Sequence, residues 1–547
     1  MSPAPHAPAD PGAPGADDEF RDLSGLVAAH GRQRPDAPAL VCGARQLSWA
    51  DLDALVDRVA ASLQRDGLGP GDCVALCGAS GIGYVAAFLG ALRAGLAAAP
   101  LAPSATPAQL AAMVADAGAR VLFLDEPALA DPTPWPAGVR QVRLEELEEM
   151  ADVADAEASA HAAPSRAAAP SWLTPAGARA QPVAIQPEWP FNIIYSSGTT
   201  GTPKGIVQPH AMRWAHVRRG LLSGYGPDAR TLIATPLYSN TTLVCLMPTL
   251  GWGGCAVLMP KFEAGAYLAL AQAQRITHTM LVPVQYQRLM AHPDFGRFDL
   301  SSFRAKFCTS APFPAALKAD ILARWPGGLV EYYGMTEGGG TCILHAHVHP
   351  HKLHTVGQPS PGHDIRLIDE AGAQVPGTPG GASAGSGEVV GRSPGMMTGY
   401  HGHDDLTRQA EWFDDQGRRY IRTGDIGRFD EDGFLILLDR RKDVVISGGF
   451  NIYPSDLEAV LRLHPDVAEA AVVGVPSAQW GETPVGFVVL QPGRNADPQA
   501  LREWANAQLG RTQRLSEVRV LAELPRSAIG KVLKRELREQ WQASPRV

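Results

Sequence analysis

Leu52, Leu55, Val56, Val59 and Leu63 recur at helical spacing behind Ser48 and Asp51, which read as a capping box, so an amphipathic helix is predicted there. "GLGPGD" (67–72) then turns the chain into the apolar run "CVALC", a strand by length and composition. The same alternation of helix and short apolar run recurs through "ARVLFL" (119–124), "TLIAT" (231–235), "CAVLM" (255–259) and "HTMLV" (278–282). Such a rhythm predicts an α/β fold with a largely parallel sheet. One stretch, "GIGYVAAFLGALRAGLAAAPLAP" (81–103), is long and apolar enough to suggest a membrane span. Arg93 near its middle, with Gly90, Gly95 and two prolines, favours a buried helix running into a strand.

The pattern changes character near residue 440, where "FLILLDRRKDVVISGGFNIYPSDLEAVL" sets a charged cluster between two apolar runs. Beyond it, a helix starting near Pro454 carries Leu457, Val460 and Leu461 on one face, and "AEAAVVGV" (468–475) reads as a strand. A domain boundary is therefore expected: residues 21–438 form a large domain, 439–443 a hinge and 444–547 a small one. Residues 1–20, rich in Pro, Ala and Gly, are expected to be disordered. Residues 155–190 and "GTPGGASAGSG" (377–387) read as loops or linkers.

A length of 547 residues agrees with more than one domain. The net charge of −8, from 48 basic and 56 acidic side chains, offers no general attraction to nucleic acid or anionic lipid, so an anionic substrate must be met by local charge. Neither a nucleic-acid partner nor stable membrane insertion is expected, and a homodimer is compatible with the composition. Seven cysteines without disulfide or zinc spacing, and a start lacking a basic-then-apolar signal, fit a reduced cytoplasm.

The first candidate for chemistry is "YSSGTTGTPKGIV" (195–207). Gly198 and Gly201 let the backbone approach a ligand, Ser196, Ser197, Thr199, Thr200 and Thr202 supply donors, and Lys204 adds a positive charge, a set suited to polyphosphate. It is not a Walker A loop, because Lys204 stands between Pro203 and Gly205. Four more polar islands follow in order: "EYYGMTEGGG" (331–340), "YIRTGDIG" (420–427), "DRRKD" (439–443) and "RSAIGKVLKREL" (526–537).

Together these five motifs closely resemble the adenylate-forming superfamily of acyl-CoA synthetases, aryl-CoA ligases, peptide-synthetase adenylation domains and luciferases, over about residues 22 to 540. The resemblance implies a large multi-sheet α/β domain and a small, mobile α+β C-terminal domain. It implies ATP, Mg2+ and coenzyme A as reactants, with a small carboxylic acid as the other substrate. It assigns phosphate contacts to the loop 196–202 and Lys204, nucleotide contacts to Tyr332, Tyr333 and Gly334, the phosphate to Thr336 and magnesium to Glu337. Asp425 matches the carboxylate that accepts both ribose hydroxyls, Arg440 a nucleotide-contacting arginine, and Lys442 the hinge. Lys531 matches the small domain's catalytic lysine, which reaches the carboxylate and α-phosphate, and Gly448 and Gly449 match the strand that lets a pantetheine arm pass.

The likeness has one departure. Family members often carry histidine after "P-L-aromatic", whereas "TPLYSNTTL" (235–243) has Ser239 and Asn240. Tyr238, Asn240, Thr241, Ala311, Gly338 and Gly339 are the expected acyl pocket, with Gly338 to Gly340 read as room for a bulky acid. No acidic residue lies between 235 and 250 to hold an α-amino group, which argues against an amino-acid substrate. The expected reaction is an ATP-dependent ligation of a fatty, aromatic or alicyclic acid to CoA, with an acyl-adenylate ligase serving a carrier protein as the alternative. A non-enzymatic binding protein on this fold would be expected to have lost Lys531 or Glu337. Finally, "HAHVHPHKLH" (345–354) alternates histidines as a metal-binding strand would, although no cysteine or carboxylate completes a site and a polar loop is the preferred reading.

Overall fold

A computed structural model describes residues 19–130, 135–149, 171–196, 204–377, 383, 385–447, 450–510, 513–527 and 530–543. The helix predicted behind Ser48 runs from Trp49 to Arg65, and the capping box is formed: the Asp51 amide donates to Ser48 Oγ at 3.1 Å and the Ser48 amide to Asp51 Oδ2 at 3.1 Å. Its apolar face packs on the helix Ile82–Arg93, which is buried from Ile82 through Leu92 and leads into the strand Ala97–Leu101. Arg93, at the end of that helix, is held by Asp53 at 2.7 Å and Asp57 at 3.0 Å. No helix among the described residues is long and apolar enough to cross a membrane.

Two large sheets share this helical layer. One has nine strands in the order Gln358–Pro359, Cys342–His345, Gly328–Tyr333, Ala305–Cys308, His278–Leu281, Arg230–Ile233, Cys255–Leu258, Pro38–Cys42 and Arg45–Ser48. The strands from Gly328–Tyr333 to Pro38–Cys42 are parallel, and the edges are antiparallel. The second sheet has seven strands, in which the parallel set centred on Cys73–Cys77 meets the antiparallel hairpin Pro190–Ser196 and Lys204–Pro209 and then the short strand Gly399–Tyr400. Val74 and Leu76 face the shared core while Cys73, Ala75 and Cys77 face the helix Pro107–Asp116, as a two-residue period requires. Burial pushes the Cys73 thiol up to about 12, so it packs as an apolar group.

Two parts of the fold differ from expectation. A third sheet, entirely antiparallel, is built from Asp364–Ile368, Gly387–Arg392, Glu411–Phe413, Arg419–Phe429 and Leu435–Arg440. Apart from the apolar start of Leu435–Arg440, its strands mix charged residues with short apolar stretches. Residues 171–190, read as loop or linker, are a loop more closely packed than the composition suggests: Trp172 stacks edge-on against Phe123 at 5.4 Å and donates to Asp66 at 2.8 Å.

The smaller C-terminal domain has its own sheet, in which the long hairpin Val467–Ser477 and Gly481–Leu490 is flanked by Val445–Ser447, Phe450–Ile452 and Glu517–Leu521. The helix Pro454–Arg462 covers one face with Leu457 and Leu461, and the helix Lys534–Ala543 covers the other with Leu537. This domain returns to the large one through Gly530, where an added Cβ would lie 2.6 Å from Val284 Cγ1.

Candidate active site

The site is assembled where the three sheets of the large domain converge. Lys204 opens its strand in register with Ser196, the last residue of the partner strand. Its ammonium lies 5.4 Å from the ring centroid of Tyr400, whose hydroxyl donates to Glu337 Oε1 at 2.8 Å. A cation, a phenol and a carboxylate from three separate segments thus form one group. Burial and the neighbouring Glu337 raise the Tyr400 phenol, so it remains a donor. Glu337 has no cationic partner among the described residues, and its second oxygen faces no ion pair. A hard carboxylate oxygen of this kind fits a divalent cation.

Thr336 and Glu337 are positioned by a buried polar network. Gln208 donates to the Thr336 carbonyl at 2.5 Å, Asn192 donates to Gln208 Oε1 at 2.9 Å, and Arg213 bonds both Asn192 and Gln208. Burial lowers the Arg213 guanidinium to about 9, which marks how thoroughly this network excludes water. Behind the strand Gly328–Tyr333, the buried pair Lys318–Glu331 and the bonds from Lys318 to Leu353 O (2.8 Å) and Thr355 O (3.1 Å) tie that strand to the adjacent loop.

A second group lies on the other side of the "YYGMTE" segment. Tyr333 donates to Asp425 Oδ2 at 2.9 Å, and Arg440, which faces Asp425 across the strand pair, binds Oδ1 at 3.0 Å. Burial, then Asp425, raise the Tyr333 phenol well above its usual range. Lys531 enters this neighbourhood from the small domain on a tight hairpin, its amide donating to Ser527 Oγ at 3.2 Å. Burial first, then Arg440 and Lys442, push the Lys531 ammonium down to about 8, with Asp425 and Asp443 opposing. Lys442 is likewise lowered by burial. Asp425, Arg440, Lys442 and Lys531, noted separately along the sequence, are therefore gathered into one electrostatic cluster.

Of the acyl-pocket residues, Thr241 Oγ1 lies 2.5 Å from Ser310 Oγ, next to Ala311, and Asn240 accepts from Gln208 at 3.4 Å. Tyr238 instead is hydrogen-bonded to Ser104. Ser239 caps the helix Asn240–Gly251 by accepting from the Thr241 amide. The reading of Gly338 and Gly339 is corrected: a Cβ at 338 would lie 2.0 Å from Gly395 O and one at 339 would lie 2.8 Å from Gly391 O. Both have positive φ, 77° and 87°, so these glycines serve backbone packing and leave no open room for an acid. The histidine run is mostly loop, in line with the preferred reading. Only His345 belongs to a strand, the chain then turns, and His347 bonds Leu329 O at 3.0 Å while His349 packs on Phe434 at 5.1 Å. No three-residue cluster of metal-ligating side chains occurs among the described residues. Ser197, Gly198, Thr199, Thr200, Gly201, Gly448 and Gly449 lie outside the described residues, as do residues 1–18.

Tyr400, Gln208 and Ser310 escaped the sequence reading. A glutamine inside the apolar strand "KGIVQP" was a usable signal for Gln208. Ser310, at φ 81°, holds a left-handed conformation rare for a residue with a side chain, and only the backbone reveals it.

Known proteins resemble this chain along nearly its whole length. The sequence profile of the AMP-binding enzyme family matches residues 27–401, and that of the AMP-binding enzyme C-terminal domain matches residues 456–531. A feruloyl-CoA synthase of Amycolatopsis sp is 35% identical over 520 residues, covering 93% of this chain and 97% of that protein. The fatty acid–[acyl-carrier-protein] ligase ScoC of Streptomyces coeruleorubidus is 31% identical over 535 residues, covering 96% of this chain and 97% of its own. Among solved structures, ATP-bound MatB from Rhodopseudomonas palustris superimposes with a TM-score of 0.80 at 27% identity, over 96% of this chain and 99% of that one.

Proposed function

The chain belongs to the AMP-binding enzyme family and is an AMP-forming acid–thiol ligase, and we propose that it activates an aromatic or fatty carboxylic acid with ATP and transfers the acyl group to coenzyme A. The observation that carries the reading is the arrival of Lys531, from the small domain, beside Asp425 and Arg440 of the large one. An aromatic acid is preferred because Tyr332 stacks on Phe307 at 5.7 Å beside the site and because the feruloyl-CoA synthase is 35% identical.

The first half-reaction is attack of the acid's carboxylate oxygen on the α-phosphorus of ATP, with pyrophosphate leaving and a mixed anhydride formed. Here Lys204 and the loop 196–202 hold the polyphosphate, Asp425 accepts the ribose hydroxyls, and Lys531 stabilises charge shared between carboxylate and α-phosphate. Thr336 meets the phosphate, and Glu337 would hold magnesium, which when bound neutralises phosphate charge. In the second half-reaction the thiol sulfur attacks the activated carbonyl and AMP leaves. Between the halves the small domain turns about Lys442, which withdraws Lys531 and brings up the segment containing Gly448 and Gly449.

Two predictions arise here. The lowered Lys531 ammonium must be charged to act, so kcat/KM for pyrophosphate release should fall as pH rises through about 8, and this alkaline limb should vanish in Lys531→Ala. A limb unchanged in the variant would remove Lys531 from that role. Glu337→Gln keeps the acceptor for Tyr400 and loses the charge, so the magnesium concentration for half-maximal rate should rise by about tenfold or more.

The overall test is pyrophosphate release against aromatic and fatty acids, with and without CoA. Turnover that needs CoA, with acyl-CoA identified by mass, supports the reading. The carrier-protein alternative is favoured by the ScoC match and predicts about one equivalent of pyrophosphate, retained adenylate and no response to CoA.

A further inference from the structure

The small domain's first helix, Pro454–Arg462, receives no side-chain capping bond from Tyr453 at its N-cap. It is capped from the large domain instead. The Ser455 amide donates to Asp439 Oδ2 at 2.8 Å, and the Ser455 hydroxyl donates to the Leu438 carbonyl. Both acceptors belong to the strand Leu435–Arg440, in which Asp439 pairs with Ile426 in the antiparallel sheet that carries Asp425. Asp439 also accepts the Arg440 amide on Oδ1 at 2.8 Å. A carboxylate at a helix start satisfies amides that the helix itself leaves free, and it complements the helix dipole.

From this cap a chain of contacts leads to Lys531. Glu458 lies one turn beyond Ser455 on the same helix face and pairs with Lys534 Nζ at 2.9 Å. Glu458 also accepts the Val472 amide at 2.9 Å, which ties it to the small domain's long hairpin. Lys534 opens the helix Lys534–Ala543, three residues after Lys531. Burial raises the Asp439 carboxyl and Lys534 opposes it most, so Lys534 acts on Asp439 as well as on Glu458. Lys531 is fixed to the same unit: its carbonyl accepts the Ser527 amide at 2.8 Å, and Arg526 donates to the Gly530 carbonyl at 2.8 Å while pairing with Glu469. Wherever the helix Pro454–Arg462 is held, Lys531 is held with it. Lys442 lies between Asp439 and Ser455 in the chain, so a turn of the small domain about Lys442 separates the cap from its helix.

We propose that Asp439 is a positioning residue: by capping the small domain's first helix it latches that domain where Lys531 meets the nucleotide, and the cap is released on passage to thioester formation. This rests on the two-position reading above. Loss of a cap should shift the balance between the positions by about three- to tenfold. If the parent favours the latched position, the thioester half then speeds up; if it favours the other, the adenylate half slows. The ratio of the two rates falls in either case.

The test measures single-turnover rates of adenylate formation, and of thioester formation from supplied acyl-adenylate, with the acid that turns over fastest in the pyrophosphate assay. The proteins compared are the parent, Asp439→Ala, Asp439→Asn and Ser455→Ala. The ratio of first to second rate should fall about three- to tenfold in Asp439→Ala. It should fall less in Asp439→Asn, which keeps an acceptor for the Ser455 amide, and less in Ser455→Ala, which loses only the bond to Leu438. Ser455→Ala should leave the KM for ATP unchanged. Both rates falling together with the melting temperature, at a constant ratio, would make Asp439 merely structural and overturn the proposal. A ratio that moves only in the Asp439 variants, in step with a raised KM for ATP, would show action through Arg440 and overturn it too. A constant ratio in all three, with Lys531→Ala still slowing the first half alone, overturns the latch and leaves the two-position reading standing. Lys531→Ala slowing both halves alike would sink that reading itself.

Discussion

Replacing Lys531 with alanine is expected to slow acyl-adenylate formation by about a hundred- to a thousandfold, the usual effect of removing one preorganised group from a developing charge. Thioester formation from supplied acyl-adenylate should remain largely intact. The asymmetry comes from geometry: Lys531 belongs to the small domain, yet its ammonium is lowered by burial first and then by Arg440 and Lys442, with Asp425 and Asp443 opposing. Gly530 makes that approach feasible, since any side chain there would meet Val284 of the large domain. Because Lys531 belongs to none of the buried hydrophobic clusters among the described residues, the variant should fold and melt like the parent. Single-turnover assays of each half-reaction decide the matter, and equal loss in both would refute a division of labour between two domain positions.

Legibility in the sequence followed the range of the interaction. Lys204, Glu337, Asp425 and Lys531 each sit in a short polar motif, and the order of the five motifs, through the family resemblance it carries, singled them out. Tyr400 could not be found that way, because it reaches Glu337 only through the two-residue strand Gly399–Tyr400 pairing with Lys204–Pro209. Parallel strands such as Cys73–Cys77 announced themselves as unbroken apolar runs, whereas Asp364–Ile368 and Arg419–Phe429 of the antiparallel sheet around Asp425 mix polar and apolar residues over lengths where turn and strand read alike. Gly338 and Gly339 misled for a related reason. Absence of a side chain signals either open space or a close neighbour, and here the neighbour is the backbone at Gly391 and Gly395, more than fifty residues away. The histidine run shows the limit of the alternative metal reading, because alternation means a shared face only on a strand and the strand ends at His345.

Asp425→Ala should raise the KM for ATP by about a hundredfold or more, since two hydrogen bonds from ribose hydroxyls to a charged carboxylate are lost together. The same substitution should cost little stability. Arg440 is well exposed, at 41% of its side chain, and reverts to water when its partner is removed. The Tyr333 hydroxyl keeps its bond with Thr423. The strand pairing that sets Asp425 opposite Arg440 is made by backbone and does not depend on either side chain. Binding loss and fold loss are therefore separable, and Asp425→Asn, which keeps the shape and one acceptor, should fall between parent and alanine variant. Titration of pyrophosphate release against ATP, with thermal melting of the same samples, reads both quantities. An unchanged KM for ATP would remove Asp425 from the nucleotide site, and a melting temperature that falls in step with activity would make it a structural residue.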